Sequence, residues 1–199
     1  STSTYFSKVM AESFGLQPEQ IWLTGLPRND VLLGSEKEYR EVINRKFGLD
    51  GDKELFFWLP TYRSSSVGDI RDDSASSSFL DEWPQGMLTR LDKCLTESGK
   101  YLIIKLHPMD SLNLSPPGTG FKSIVFIVAS EWSNTGLALY EGLSVSSGLI
   151  SDVSSVLIDY MVTGKPIGIT TRSIDGYKRG TFDRMDELLS CCYQLTDEN

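Results

Sequence analysis

The sequence predicts an α/β fold: a Rossmann-like, doubly wound parallel sheet in one domain over residues 1–199. Three observations carry this. Short, near-continuous apolar runs such as Leu55-Phe56-Phe57-Trp58-Leu59 have strand length and no polar alternation, as strands covered on both faces do. These runs alternate with amphipathic segments of helical period. Polar or charged residues collect just after the runs (Arg28; Thr61 and Arg63; Lys105 and His107; Ser154 and Ser155), where open α/β sheets place ligands.

Taken in order, Tyr5, Phe6, Val9, Met10 and Phe14 recur at helical spacing and Gly15 stops the helix. Gln20–Thr24 reads as a short strand, followed by a Gly/Pro turn that carries Arg28, a candidate phosphate contact or a solvated surface arginine. Ser35–Phe47 is a charged amphipathic helix ended by Gly48, and Leu55–Leu59 is a buried strand running into Pro60-Thr61-Tyr62-Arg63. Ser64–Ser78, with two runs of three serines around an acidic patch, reads as a loop: a lid or a plain insertion. Phe79–Ser98 reads as a long helix and Tyr101–Leu106 as a strand ending in Lys105-Leu106-His107-Pro108. Ser111–Gly120 is a Pro/Gly loop. Its PPGTGFKS has the wrong spacing for a Walker motif and precedes a strand where that motif needs a helix. Ser123–Val128 is a strand, Thr135–Leu143 a short helix, Lys178–Gly180 a basic turn and Phe182–Cys192 a last helix.

The most informative stretch is Gly148–Ile169, which reads strand, serine-rich turn, helix over Val156–Val162, glycine stop, and a strand from Ile167 to Thr170. Asp152, Ser154 and Ser155 are helix-capping residue types, and Gly164 and Pro166 end the helix in the usual order. Asp159 is the exception among apolar neighbours, since a buried charge is expensive without a partner. It follows Ser155 by four residues, so the two share a helix face roughly 6 Å apart along the axis. The pair can be read as a nucleotide-diphosphate grip, with phosphate at the helix start and ribose on the carboxylate. It can equally be read as an N-cap serine and an aspartate paired elsewhere.

Composition excludes several classes. The net charge of −8 lacks the basic footprint of a nucleic-acid binder. No apolar run is long enough to span a bilayer, and the first residues lack a signal-peptide pattern. Three cysteines without CxxC and a single histidine, His107, predict neither a disulfide framework nor a multi-histidine metal site. No cofactor is expected, and the thiols point to a cytoplasmic chain.

Ordered motifs resemble the CDP-glycerol glycerophosphotransferases: TGLPRND at 24–30, LPTYR at 59–63, KLHP at 105–108, SDVSSVLIDYMVTGKPIGI at 151–169 and GYKRGTFD at 176–183. The resemblance implies the donor-binding, C-terminal half of a GT-B fold. The acceptor-binding half and its general base would then lie outside this truncated chain. By carry-over, Arg28, Pro60, Thr61 and Arg63 would surround CDP-glycerol, and Lys105, Leu106 and His107 would wall the pyrophosphate. Ser154 and Ser155 would hold phosphate and Asp159 the ribose, while His107 is the candidate catalytic residue, as an electrostatic contact or as general acid to the leaving phosphate. The implied activity is glycerol-phosphate transfer to a hydroxyl of a polymer or lipid-linked acceptor in teichoic-acid or capsule synthesis, at the inner membrane face. The isolated chain would bind without transferring. The competing readings are a sugar-nucleotide GT-B transferase or epimerase, use of CDP-ribitol, a non-catalytic nucleotide-binding module, and, more remotely, a response-regulator-like domain.

Overall fold

The structure is a computed structural model that describes residues 1–34, 36–51, 53–61, 84, 86–107, 120–152, 154–170 and 185–195. Six parallel strands form one sheet: β1 (Glu54–Leu59), β2 (Lys100–Lys105), β3 (Ile124–Ile127), β4 (Gly148–Ser151), β5 (Ile167–Thr170) and β6 (Tyr193–Leu195), in the order β3-β2-β1-β4-β5-β6. The order reverses between β1 and β4. That is the topological switch point, where neighbouring crossovers leave on opposite faces and open a crevice at the carboxyl ends.

The helices are α1 (Thr4–Phe14), α2 (Pro27–Leu33), α3 (Lys37–Phe47), α4 (Met87–Glu97), α5 (Ala129–Ser133), α6 (Leu139–Ser144), α7 (Ser155–Tyr160) and α8 (Met185–Ser190). Strand side chains point alternately to the two faces. Leu55, Phe57, Leu59, Tyr101, Ile103, Leu149, Ile167 and Ile169 face a core completed by Leu32, Ile43, Leu143, Leu157 and Tyr160 from α2, α3, α6 and α7. The alternate residues Trp58, Leu102, Ile104 and Ile124 face a second core closed by Met87, Leu88, Leu91 and Leu95 of α4. Burying each large apolar side chain stabilises the fold by about 1.5–3 kcal/mol, so the continuous apolar runs commit these segments to central strands.

Several boundaries differ from the sequence expectation. Gln20–Thr24 is not a strand: Pro18–Gln20 forms a short 3-10 turn, and the residues after it pair with no strand. Trp22 and Leu23 are mostly exposed, and the amides of Thr24 and Gly25 both donate to the carbonyl of Ser1. Arg28 therefore does not follow a strand. It lies in the first turn of α2, opened by Pro27, whose fixed φ suits the first helical position. Of the expected Phe79–Ser98 helix the structure describes Met87–Glu97, whose N-cap is Gly86 in a left-handed conformation at φ 77°; residues 79–83 and 85 lie outside the described residues.

The expected Thr135–Leu143 helix is replaced by α5 and α6, separated by a turn at Gly136. Carboxylates rather than conventional cap residues start both: Glu131 accepts from the Val128 amide and Glu141 from the Ala138 amide. The helix expected at Val156–Val162 begins at Ser155, ends at Tyr160 and tightens into a 3-10 turn over Met161–Thr163. The last helix, described over Met185–Ser190, ends before the expected Cys192 and is followed by β6, a strand the sequence does not predict. Gly168 admits that strand, since a Cβ there would sit 2.9 Å from Leu195 Cδ1. The Ser64–Ser78 loop, the Lys178–Gly180 turn and nearly all of the Ser111–Gly120 loop lie outside the described residues.

Candidate functional site

Two constellations form at the carboxyl edge of the sheet. The first joins α2, α6 and α7 around Asp159. Arg28 donates to Asp159 Oδ2 from Nε at 3.1 Å and from Nη2 at 2.8 Å. Asn29 Nδ2 donates to Oδ1 at 3.3 Å, and the Tyr140 hydroxyl donates to Oδ2 at 2.6 Å. Two adjacent residues of the 24–30 motif thus close on the one charged residue of the 151–169 motif's helix. The Asp159 side chain is 5% exposed and that of Arg28 is 52% exposed, so the carboxylate is the buried end and the guanidinium the open end. Arg28 also stands over the Tyr140 ring, 5.8 Å from its centroid.

The titration of these groups follows from the contacts. The hydrogen bond to Asp159 raises the Arg28 pKa above its ordinary value. The Tyr140 hydroxyl is pushed up to about 12, first by burial and then by its hydrogen bond to the Asp159 carboxylate, which needs the proton. Tyr140 stays a neutral donor at physiological pH and Arg28 stays charged.

The second constellation is at the switch point. Thr61, just past β1, gives its amide to Asp152 Oδ1 and Oδ2 at 3.1 and 3.0 Å and its hydroxyl to Oδ2 at 2.7 Å. Asp152 is 1% exposed. The Ser151 hydroxyl donates to the Leu59 carbonyl. These bonds tie the ends of β1 and β4 together and fix the start of α7. There Ser154 is the N-cap, accepting from the Val156 amide at 3.4 Å, while Ser155 is exposed.

A pocket of about 330 Å³ opens beside the first constellation. Phe6, Met10, Leu26 and Ile158 give it an apolar wall, and Arg28, Ser155 and Asp159 a polar edge. An apolar pocket with a few convergent polar groups is the usual form of a small-molecule site. Three of the expected site residues, from motifs far apart in the chain, therefore meet.

The others are placed differently. Pro60 is buried and Thr61 half-buried behind the β1–β4 link. Lys105 and His107 lie at the end of β2, on the same edge of the sheet but outside the lining of that pocket. Burial lowers the Lys105 pKa. Leu106 is 1% exposed in the second core, and its amide donates to the Ile127 carbonyl at 3.0 Å. Arg63 lies outside the described residues. Sequence reasoning missed Tyr140 and Asn29 as partners of Asp159, and read Asp152 only as a cap type. For Tyr140 no sequence signal exists, since only the packing of α6 against α2 brings it there. Among the described residues no group of His, Cys, Asp and Glu is placed to hold a metal ion, and no helix is long and apolar enough to cross a membrane.

A parallel sheet in this order, with its pocket at the carboxyl edge, defines a Rossmann-like domain. The chain belongs to the CDP-Glycerol:Poly(glycerophosphate) glycerophosphotransferase family, whose sequence model matches residues 1–190. It is 27% identical over 186 residues to the teichoic acid poly(glycerol phosphate) polymerase of Staphylococcus epidermidis, covering 90% of this chain and 23% of that protein. It is 25% identical over 171 residues to the teichoic acid ribitol-phosphate polymerase TarK of Staphylococcus aureus, covering 84% and 30% respectively. A solved structure of a variant of the wall teichoic acid polymerase TagF soaked with CDPG superposes with a TM-score of 0.64 at 26% identity, over 92% of this chain and 41% of TagF. The chain thus spans less than half the length of these relatives.

Proposed function

We propose that this chain is the nucleotide-donor-binding half of a GT-B-type enzyme that transfers glycerol phosphate from CDP-glycerol to a hydroxyl acceptor in teichoic-acid-like polymer synthesis. The observation that carries it is the meeting of Arg28, Ser155 and Asp159 at one apolar-walled pocket on the carboxyl edge. The apolar wall suits a nucleoside, and the exposed guanidinium and hydroxyl of the polar edge suit its diphosphate.

In this reading the acceptor hydroxyl attacks the phosphorus that carries glycerol, and CMP leaves. Negative charge builds on the leaving phosphate, and fixed positive groups must meet it without reorganising. Arg28 is held in place to do so, because Nε and Nη2 are bound to Asp159 while Nη1 takes no part in those bonds. Asp159 acts chiefly by orienting Arg28, and Oδ1, which carries only the long bond from Asn29, is the oxygen left for a ribose hydroxyl. Ser154 and Ser155 contact phosphate at the start of α7. Lys105 and His107 approach from the end of β2, with His107 as the group that stabilises or protonates the leaving phosphate. Pro60 and Thr61 shape the crevice, Thr61 by holding the ends of β1 and β4 together, and Arg63 is the further residue of the same motif assigned to the donor. The general base and acceptor site come from outside these residues, so the chain alone binds the nucleotide donor and transfers nothing. The reaction takes place in the cytoplasm, at the inner face of the membrane where a lipid-linked acceptor resides.

Calorimetry tests the reading with CDP-glycerol, CDP-ribitol and a UDP-sugar. Preferential binding of a CDP-alditol is the expected result, and tighter binding of the UDP-sugar would replace this proposal with a sugar-nucleotide transferase. The similarity to a ribitol-phosphate polymerase makes CDP-ribitol the natural second ligand in that comparison.

A further inference from the structure

A second cleft, of about 320 Å³, lies at the opposite edge of the sheet. It is lined by Lys37 and Arg40 of α3, Lys53 just before β1, Lys165 just before β5, and Ser147 just before β4. These are the amino ends of the strands. β1 has six residues, so the two edges are roughly 20 Å apart and the cleft is no extension of the pocket at Arg28.

Its charge runs against that of the chain. Four cations converge in a protein of net charge −8. Glu54, the carboxylate among the described lining residues, is already paired with Lys100 at 2.9 Å. Lys37 reaches Glu41 only at 3.8 Å across an exposed helix surface, a contact that contributes little. Lys53 stands over the Tyr101 ring, 5.1 Å from its centroid. Lys165 Nζ donates to the carbonyls of Ser144 and Ser146, both at 2.7 Å, which fixes the ammonium at the cleft on neutral partners. Burial lowers its pKa, and an anion in the cleft would oppose that shift. The Ser147 hydroxyl oxygen accepts from the Leu55 amide at 3.4 Å, so its O–H is left to donate. Arg40 donates from Nε to Asn44 Oδ1 at 2.9 Å and from Nη2 to the Lys53 carbonyl at 2.6 Å, which holds its guanidinium at the cleft.

We propose that this cleft is a second phosphate-binding site that takes the phosphodiester groups of a glycerol-phosphate chain. Its volume fits a phosphate with an adjoining glycerol. The anion chemistry stands on the cleft alone, and the identity of the chain rests on the proposed function.

The test is an amide-shift titration of the ¹⁵N-labelled 199-residue chain with a short synthetic glycerol-phosphate oligomer, with CDP-glycerol titrated separately. The oligomer is expected to move the amides of Lys37, Arg40, Lys53, Ser147 and Lys165, and to bind more weakly as salt is raised. A Lys37→Gln/Lys53→Gln double variant, changing two exposed side chains, is expected to weaken oligomer binding at least tenfold and leave CDP-glycerol affinity unchanged. Lys165 is avoided because it also holds two carbonyls. Three results would each overturn the proposal: no cleft shifts at millimolar oligomer; the same shifts at the same concentration of a glutamate oligomer of equal charge; or binding of phosphatidylglycerol vesicles through these residues without binding of the soluble oligomer. Failure of CDP-glycerol to bind anywhere counts against the proposed function instead and leaves the cleft result to be read by itself.

Discussion

Arg28 and Asp159, 131 residues apart in the chain, are joined by two hydrogen bonds to a single carboxylate oxygen, one of them a 2.8 Å ion pair. The contact locks α2 to α7 and leaves the open side of the guanidinium at the pocket.

Asp159→Asn is expected to destabilise the chain by about 1.5–3 kcal/mol, the usual range for hydrogen bonds to a charged group. The neutral amide loses the charge that Arg28 and Tyr140 both bond to, and turns N–H donors toward other donors. The figure stays below that for breaking a fully buried pair because Arg28 is half exposed. Urea denaturation reads it. An unchanged midpoint would show that Asp159 is held for a ligand and not for Arg28.

Tyr140 supplies a pH signature. Its folded pKa of about 12 lies above the ordinary 10. The folded state therefore keeps a proton that the unfolded state loses, and the contribution is full below about pH 10 and lost as pH rises through about 12. Urea midpoints are expected to fall across that window, and to fall less steeply in Tyr140→Phe. Equal slopes in the two proteins would show that Tyr140 ionises at its ordinary pKa.

Thr61→Val keeps the side chain's shape and removes the 2.7 Å hydroxyl bond to Asp152, whose carboxylate is 1% exposed. Loss of that donor at a buried charge is expected to cost about 1–3 kcal/mol. It should also loosen the β1–β4 edge, read as faster exchange of the Thr61 amide.

Ser155→Ala removes an exposed hydroxyl at the pocket and leaves the Ser154 cap in place. Stability is expected to change by no more than about 0.5 kcal/mol, as for most surface substitutions. CDP-glycerol affinity should fall while cytidine affinity holds. A parallel loss for cytidine would place Ser155 against the nucleoside rather than the phosphates.

Most of the sheet was legible because a parallel strand buried on both faces must be apolar at every position, as Leu55–Leu59 and Leu102–Ile104 are. Stops at Gly15, Gly48 and Gly164 were legible because each adopts a left-handed conformation that other residues resist. Gln20–Thr24 misled because Trp22 and Leu23 have strand-like side chains, yet both are mostly exposed and the segment bonds to Ser1 rather than to a strand of the sheet. At the site, the isolated charge of Asp159 was a valid signal, but its principal partner was not: Arg28 faces it only because α2 crosses α7. Tyr140 and the Thr61–Asp152 link depend wholly on tertiary packing. β6, three residues long and mostly exposed, offers too little burial to announce itself.

The β1–β4 ladder has a consequence for how the molecule assembles. Leu59 and Ser151, register partners in that ladder, are 92 residues apart, whereas every other pairing in the sheet joins strands consecutive in the chain. The segment through β3 and the segment from β4 onward can each form from nearby contacts, but the central seam must close a long loop before it is rewarded. Closing that seam is expected to limit the folding rate, and it also builds the Thr61–Asp152 bridge at the carboxyl edge of the sheet.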